Sequence, residues 1–242
     1  MSDIYTADFS IMVRHCDREG KLFLHELFRF MQDCAISHAH VLGVGMDTIE
    51  TTGKAFVLSR VKLNVLKMPV RGSELNIRTY PSGIERIFFI RDFEIFCDGK
   101  LCAYARTLWL YIDIETRMPD RMLARNAEFK HHVNEKLGLT NPQKPVLEPM
   151  NDKPAIITEV RHTDIDVMGH VNNACYIKWI SDCLGHGFFS EYDSYCITAN
   201  FTSEMKEGET ALIGKSGTHF IVTDQNGRET FRASVGEFDS SD

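Results

Sequence analysis

Apolar side chains recur with helical spacing between residues 24 and 41. They fall on a single stripe that consists of Leu27, Phe30, Met31, Cys34 and Ala35. Spacings of three and four residues describe one face of an α-helix, and Gly43 supplies a residue at which a helix can end. The pattern predicts one long helix over residues 24–41. Phe23, Phe28 and Ile36 add apolar surface outside the stripe, so we expect this helix to be buried on more than one side.

Strand-like segments follow the helix. Residues 60–65 and 75–80 alternate apolar and polar side chains, which is the period of a strand with one buried face. Residues 87–96 and 101–112 flank Asp98-Gly99, a strong signal for a two-residue hairpin turn. Long strands after a single helix favour an α+β fold, in which an antiparallel sheet packs on that helix, over alternating βαβ units.

A proline-rich stretch divides the chain near its middle. Residues 139–154 contain Pro142, Pro145, Pro149 and Pro154. Proline interrupts helices and central strands and extends the backbone before it. We therefore predict a first unit over residues 1–120, a linker with a helix and a crossing segment over residues 121–154, and a second unit over residues 155–242.

The second unit repeats the order of the first. Residues 13–17 and 160–164 share the pattern VRHxD, and Gly20 matches Gly169 after a shift of two residues. Asn226-Gly227 repeats the hairpin signal. Several matches in one order indicate duplication, and we expect the two units to pack as an internal dimer. Because few residues follow the second hairpin, we expect the last strand of the second unit to be absent or short.

The densest group of reactive side chains lies in residues 164–173, DIDVMGHVNN. The group consists of two carboxylates, a glycine, a histidine and two asparagines: Asp164, Asp166, Gly169, His170, Asn172 and Asn173. Asparagine is favoured where a helix begins, and helical apolar spacing follows here. The free N–H groups and partial positive charge of a helix start suit a carbonyl that gains negative charge. The first unit has CDREGKLF in this place, so we expect one active site per chain, with the first unit as scaffold or substrate pocket.

Composition excludes several other classes of protein. The formal net charge of −7 over 242 residues does not favour nucleic-acid binding. The first twenty residues lack the apolar run of a signal peptide, and no stretch is apolar enough to span a membrane. The seven cysteines form no CxxC pair and the ten histidines form no HExxH pattern. We therefore expect a cytoplasmic protein with reduced thiols and with neither a metal nor another cofactor.

The pattern DxDxxGHVNNxxYIxW, placed in a second repeat, resembles the acyl-acyl carrier protein (acyl-ACP) thioesterases, the bacterial relatives of the plant fatty-acyl-ACP enzymes. The resemblance implies a tandem (double) hotdog fold, with two long helices each wrapped by an antiparallel sheet. It also implies a hydrolase of fatty acid biosynthesis and lipid metabolism, which converts acyl-ACP to free fatty acid and holo-ACP. The partner would be acyl carrier protein with a phosphopantetheine-linked acyl chain. Single-hotdog acyl-CoA thioesterases share the motif, and the double length favours acyl-ACP.

The resemblance carries catalytic roles to Asp166, His170 and Glu204. Glu204 would be the general base for water attack, Asp166 would orient His170 or share that role, and His170 would position and polarise the carbonyl with N–H groups between Gly169 and Asn173. The family has an asparagine two residues before the histidine, where this chain has Met168, which cannot act as an amide does. Plant enzymes have a cysteine where this chain has Met205, which excludes a Cys–His mechanism at that position.

Simpler structural roles stay open for the same residues. Taken singly, an aspartate or asparagine here is a turn or cap residue, and His170 could be structural. Glu204 precedes Lys206 and Glu207 and could end a solvated strand.

Three other functions compete with acyl-ACP hydrolysis. An acyl-CoA thioesterase of the same fold is one, and a hydratase is disfavoured because its Asp-x-Asn-Pro-x-His motif is missing from the sequence. The third is a catalytically weak acyl-thioester binding protein, which Met168 favours.

Partner contacts and chain length leave weaker signals. Local basic residues could meet the acidic carrier protein, and the candidates are Lys62, Lys67, Arg117, Arg121, Arg125 and Lys130. We expect side chains of the first helix, in the region of Phe28, Met31 and Ile36, to set the acyl length. A homodimer also stays open, since the repeat already supplies the pairing that single hotdogs obtain by dimerising.

Overall fold

The computed structural model describes residues 4–121, 137–147, 149 and 153–238. The helices are α1 (Leu24–Val41), α2 (Ile49–Thr52) and α3 (Asn173–Glu191). The strands of the first half are β1 (Tyr5–Ser10), β2 (Lys54–Val65), β3 (Glu74–Glu85), β4 (Phe88–Cys97) and β5 (Lys100–Asp113). Those of the second half are β6 (Ile156–Glu159), β7 (Tyr195–Phe201), β8 (Thr210–Ser216), β9 (His219–Thr223) and β10 (Glu229–Glu237). The linker helix is expected from Arg121 to Leu137, and all of it except these two end residues lies outside the described part of the chain.

All ten strands join one antiparallel sheet in the order β1-β3-β4-β5-β2-β7-β10-β9-β8-β6. The second half of this order repeats the first in reverse, so β2 and β7 meet at the centre, from Arg60 beside Asn200 to Val65 beside Tyr195. Nine strand pairings, each antiparallel, hold the sheet together. This arrangement confirms the tandem α+β fold with the internal pairing of its two units.

The two long helices contact each other and supply much of the core. Helix α1 has the predicted bounds and buries its apolar stripe. Phe28 is also buried, whereas Phe23 and Ile36 are 38% and 49% exposed, so only one of the three extra apolar side chains adds to the core. In α3, Tyr176, Ile177 and Ile180 are buried. Burying a side chain of this size stabilises the fold by about 1.5–3 kcal/mol, so the helix pair is a major source of stability.

Both hairpins form where the sequence signals them. Asp98 and Gly99 between β4 and β5 have φ of 48° and 78°, the conformation that favours a small or short polar residue at each position. Gly227 between β9 and β10 has φ of 79°. Strand β10 is present with 9 residues against 14 in β5. The last strand of the second half is therefore short rather than absent.

The proline-rich segment crosses one face of the sheet and is held there by three arginines. Arg106 on β5 donates to the carbonyl oxygen of Leu139 at 2.7 Å. Arg60 on β2 donates to that of Pro142 at 3.4 Å, and Arg232 on β10 to that of Pro145 at 3.2 Å. Arg106 also forms a bidentate ion pair with buried Asp92, with two distances of 2.7 Å. The segment thus crosses from one half of the sheet to the other.

The structure corrects the alignment of the two halves. The Leu22 N–H donates to the Pro69 oxygen at 2.8 Å, and the Val171 N–H donates to the Met205 oxygen at 2.9 Å in the same position of the second half. This alignment places Asp17 opposite Asp166 and not opposite Asp164. The predicted match of residues 13–17 with 160–164 is therefore wrong by two residues. The shared letters VRHxD occupy different backbone positions, because the 3₁₀ turns begin at Val13 in one half and at His162 in the other.

Candidate active site

Residues 166–170 form a tight turn that the carboxylate of Asp166 holds together. The Asp166 N–H donates to the His170 oxygen at 2.8 Å, and the Gly169 N–H donates to the Asp166 oxygen at 3.0 Å. Asp166 Oδ1 accepts from the N–H groups of Met168 at 2.9 Å and His170 at 3.4 Å. Gly169 has φ of 78°, where a side chain would be strained. Asp166 therefore acts on the backbone of His170 rather than on its ring.

The second long helix begins directly after this turn. Asn172 is its N-cap, and its side-chain oxygen accepts from the Ala174 N–H at 2.9 Å. The N–H groups of Gly169, His170, Val171 and Asn172 all have hydrogen-bond partners. Among the described residues, none accepts from the backbone N–H or the side-chain amide of Asn173, which lines the cavity described below. Of the backbone N–H groups from Gly169 to Asn173, that of Asn173 is available to a carbonyl oxygen of a ligand.

Glu204 lies in the loop that follows β7 and faces the turn. The loop is positioned by the Thr230 oxygen, which accepts from the N–H groups of Thr202 at 2.9 Å and Ser203 at 3.3 Å. Glu204 Oε2 lies 3.0 Å from His170 Nε2. The His170 side chain is 15% exposed and that of Glu204 is 39% exposed. The structure thus brings together the histidine and the glutamate of the predicted site, with Asp166 beneath them.

Arg117 completes this group and was missed as a site residue by sequence reasoning. Its Nη1 donates to Glu204 Oε1 at 2.9 Å, and its Nη2 lies 2.8 Å from Oε2. The same Nη2 is 3.4 Å from His170 Nε2. Arg117 belongs to the turn after β5 in the first half, where the sequence suggested only a basic surface residue. Nothing local in the sequence indicates this contact, because 87 positions separate Arg117 from Glu204.

The group opens onto a cavity of about 1200 Å³ between α1 and the sheet. Ligand pockets for small molecules usually measure about 300–1,000 Å³, so there is room for a long chain. The apolar lining comes chiefly from α1, β2, β4, β5 and the segment around α2, including Ala35, Ile36, Ala39, Leu42, Met46, Phe56, Leu58, Phe89, Trp109 and Ile112. Met168, His170, Asn173 and Glu204 line the end of the cavity that belongs to the second half.

Three side chains of α1 were expected to set the acyl length, and one of them lines the cavity. Ile36 lies on the cavity wall. Phe28 and Met31 line a separate void of about 10 Å³, and Leu58 and Trp109 line both spaces. Leu58 and Trp109 thus stand between the cavity and the two deeper residues of α1.

The thiol nearest the turn is not suited to act as a nucleophile. Cys175 on α3 is buried, and its sulfur lies 3.8 Å from Asp164 Oδ1. Burial, reinforced by the negative charge of Asp164, raises the pKa of the Cys175 thiol to about 11. The thiol is therefore protonated at neutral pH, and the thiolate is the nucleophilic form. Met205, beside Glu204, is fully buried.

Two family models match the chain in tandem. Residues 2–128 match the acyl-ACP thioesterase N-terminal domain, and residues 148–233 match the acyl-ACP thioesterase C-terminal domain. The boundary between the matches falls in the segment that links the two halves of the sheet.

Curated relatives are distant and longer than this chain. Oleoyl-acyl carrier protein thioesterase 1, chloroplastic, of Arabidopsis thaliana is 22% identical over 203 residues, which cover 74% of this chain and 54% of the relative. Dodecanoyl-[acyl-carrier-protein] hydrolase, chloroplastic, of Umbellularia californica is 22% identical over 259 residues, covering 95% of this chain and 66% of the relative. The chain spans about half the length of several curated relatives that it matches, with shares of 54%, 46% and 52%.

Solved structures share the fold over the whole chain. A structure of an acyl-ACP thioesterase from Bacteroides thetaiotaomicron superposes with a TM-score of 0.78 at 23% identity, covering 98% of this chain and 99% of that one. The 12:0-ACP thioesterase from Umbellularia californica gives a TM-score of 0.76 at 18% identity, with 98% and 97% covered. At such identities the likeness establishes the architecture only.

Proposed function

Because the chain belongs to the acyl-ACP thioesterase family, we propose that it hydrolyses acyl-ACP thioesters to free fatty acid and holo-ACP. The observation that carries this proposal is the 3.0 Å contact between His170 Nε2 and Glu204 Oε2 at the second-half end of the cavity. A carboxylate and an imidazole in contact beside an apolar cavity are suited to activate water against the carbonyl of a bound acyl chain.

In the proposed reaction, Glu204 takes a proton from water as the water oxygen attacks the thioester carbonyl carbon. The carbonyl oxygen gains negative charge and accepts from the Asn173 N–H at the start of α3, where the helix dipole also favours that charge. The C–S bond then breaks, and the proton held by Glu204 passes to the departing pantetheine sulfur. Arg117 fixes the orientation of the carboxylate through both of its oxygens.

His170 and Asp166 have different proposed roles. His170 touches Glu204 and lines the cavity, so it positions the water or the carbonyl. Asp166 holds the turn by accepting from the Met168 and His170 N–H groups. We therefore assign Asp166 as a positioning residue rather than as a second base.

In this proposal the first half supplies most of the acyl-binding cavity and the second half supplies most of the reactive residues. Helix α1 and strands β2, β4 and β5 supply most of the acyl cavity, and the second half supplies His170, Asn173 and Glu204. Acyl carrier protein would present its phosphopantetheine-linked acyl chain at the end where these residues lie. Of the basic residues considered for that partner, Arg117 is occupied by Glu204 and Lys62 donates to Thr140 at 3.2 Å, while Arg125 and Lys130 lie outside the described residues.

The location and assembly of the protein stay predictions. None of the helices in the described part of the chain is long and apolar enough to cross a membrane. A cytoplasmic location is predicted from the sequence alone, and the sequence leaves open whether the protein forms a homodimer.

A panel of acyl-ACP and acyl-CoA substrates from C4 to C18 tests the proposal through release of free acid or thiol. Wild type is compared with Glu204→Ala and His170→Ala. We expect hydrolysis that favours acyl-ACP and is lost in both variants. Faster hydrolysis of acyl-CoA than of acyl-ACP would change the proposed substrate to acyl-CoA. Tight acyl-thioester binding without hydrolysis would instead favour a binding protein, the alternative that Met168 supports.

A further inference from the structure

A partly buried cation lies on the cavity wall, on a strand away from the proposed reaction centre. Arg91 on β4 lines the cavity. Its Nη1 is 3.0 Å from His38 Nδ1 and donates to Thr79 Oγ1 at 3.1 Å. A guanidinium can only donate, so His38 Nδ1 must accept and this ring nitrogen carries no proton. Arg91 is thus held in place by two neutral acceptors.

No carboxylate neutralises this cation among the described residues. The adjacent Asp92 is bound to Arg106, and Glu94 on the same strand accepts from the Tyr80 hydroxyl at 2.7 Å. Burial lowers the pKa of Arg91 to about 10, so the side chain keeps its charge at neutral pH. Moving a charge partly out of water without a counterion is unfavourable, and a ligand of opposite charge would offset that cost.

The remaining donors of Arg91 have no protein partner within the described structure. Both hydrogen bonds use Nη1, which leaves Nε and Nη2 without acceptors among the described residues. These two atoms form the side of the guanidinium fork that binds a carboxylate through two parallel hydrogen bonds.

The distance from the reaction centre suits the far end of an acyl chain. Strand β4 is three strands from β7 in the sheet order, by way of β5 and β2. Neighbouring strands lie about 4.8 Å apart, so Arg91 and the end of β7 are separated by roughly 14 Å across the sheet. Apolar side chains such as Phe56, Leu58 and Trp109 line the cavity between them. A chain that begins at Glu204 can therefore run through apolar surroundings and end at Arg91.

On the basis of the proposed function, we infer that the cavity accepts acyl chains whose far end carries a carboxylate, and that Arg91 binds this terminal group. The substrate class is then the monothioester of a dicarboxylic acid of medium length. An unmodified acyl chain would leave the guanidinium unneutralised and would bind less well.

The test compares plain acyl-ACP with ω-carboxyacyl-ACP of the same length, from C8 to C14, in wild type, Arg91→Met and Arg78→Met. Arg78 is an exposed control on β3, 4.7 Å from the Phe96 ring. We expect wild type to prefer the carboxylated substrate by about tenfold or more in kcat/KM, since hydrogen bonds to charged groups are strong. The preference should vanish in Arg91→Met and persist in Arg78→Met.

Equal kcat/KM for the two substrates in wild type, with hydrolysis of both, would overturn the anion site and leave the thioesterase proposal standing. Absence of any hydrolysis would refute the thioesterase proposal. In that case, or if Arg91→Met does not fold, calorimetry on wild type with non-hydrolysable acyl-pantetheine amides decides the inference. About tenfold tighter binding of the carboxylated amide supports it, and equal affinity overturns it.

Discussion

The turns that precede the two long helices have the same backbone and different side chains. Asp17 Oδ1 accepts from the N–H groups of Glu19 and Lys21, each at 2.9 Å, as Asp166 Oδ1 accepts from those of Met168 and His170. Lys21 therefore stands where the second turn has His170. The loop that receives the turn shows the same contrast, because Met68 stands where the second half has Glu204. An aspartate that both halves keep serves the architecture, whereas the His–Glu pair occurs in one half.

The side chains of the first turn are tied to the end of α3. Lys21 Nζ donates to the Phe189 oxygen at 2.8 Å, and Glu19 Oε1 lies 2.9 Å from His186 Nε2. The side chains of the second turn instead line the cavity. Duplication thus yielded two equivalent positions, of which the first contributes contacts between the halves and the second is the candidate reaction centre.

The largest effect is expected from a change at Glu204, the carboxylate that Met68 replaces in the first half. Glu204→Gln removes the base but keeps the shape, and we expect kcat to fall about 10²–10⁴-fold. Steady-state hydrolysis of acyl-ACP measures this. Glu207→Gln, at an exposed position near His162, is the control and should stay close to wild type. Hydrolysis that survives Glu204→Gln would assign the base elsewhere.

Converting the second turn into the first tests His170. In His170→Lys the backbone should form as it does around Lys21, so the fold is kept, while the contact with Glu204 changes from imidazole to ammonium. We expect about a hundredfold loss of kcat/KM with an unchanged circular dichroism spectrum. The reverse change, Lys21→His, should leave hydrolysis near wild type. Full activity of His170→Lys would show that this position needs only a cation.

Substitutions of Asp166 distinguish a role in positioning the turn from a role in proton transfer. Asp166→Asn keeps an oxygen that can accept from the two N–H groups, so we expect activity within about threefold of wild type. Asp166→Ala loses both bonds and should destabilise the protein by ~1 kcal/mol, as loss of a cap does, with a larger fall in activity. Denaturant unfolding of Asp17→Ala should show a similar loss of stability without the fall in activity. An inactive Asp166→Asn would instead indicate proton transfer by the carboxylate.

The starts of the two helices differ in their response to acid. His25 is the second residue of α1, and buried Ala174 is the second residue of α3. Burial, with the nearby charges of Arg29 and Lys178, lowers the pKa of His25 to about 4. The unfolded chain therefore binds this proton more tightly. Stability is complete above the ordinary pKa of about 6.5 and is lost as the pH falls toward 4, by at most ~3 kcal/mol.

Urea unfolding between pH 7 and pH 4 checks this effect. His25→Ala should show a shallower loss of stability across that range than wild type, whatever its stability at pH 7. An unchanged slope would assign the acid sensitivity to other groups.

Patterns between near neighbours were readable from the sequence because their causes are local. Helical spacing identified α1 with its observed bounds, Asp98-Gly99 identified the first hairpin, and Asn172 identified the start of α3. Matching identical residues misaligned the two halves by two positions, since the pattern VRHxD recurs at different backbone positions. Glu204 was reached through family resemblance rather than through its own surroundings.

The elements, their order and the resemblance carried by residues 164–179 could be read from the sequence, because they depend on side-chain periodicity and on caps a few residues apart. The contacts of Arg117 with Glu204 and His170, and the position of Arg91 on the same cavity, became visible in the folded chain. Those contacts form when β2 and β7 pair and the sheet brings the turn after β5, the loop after β7 and the start of α3 together. Their partners are dozens of residues apart, and no local pattern encodes such a distance.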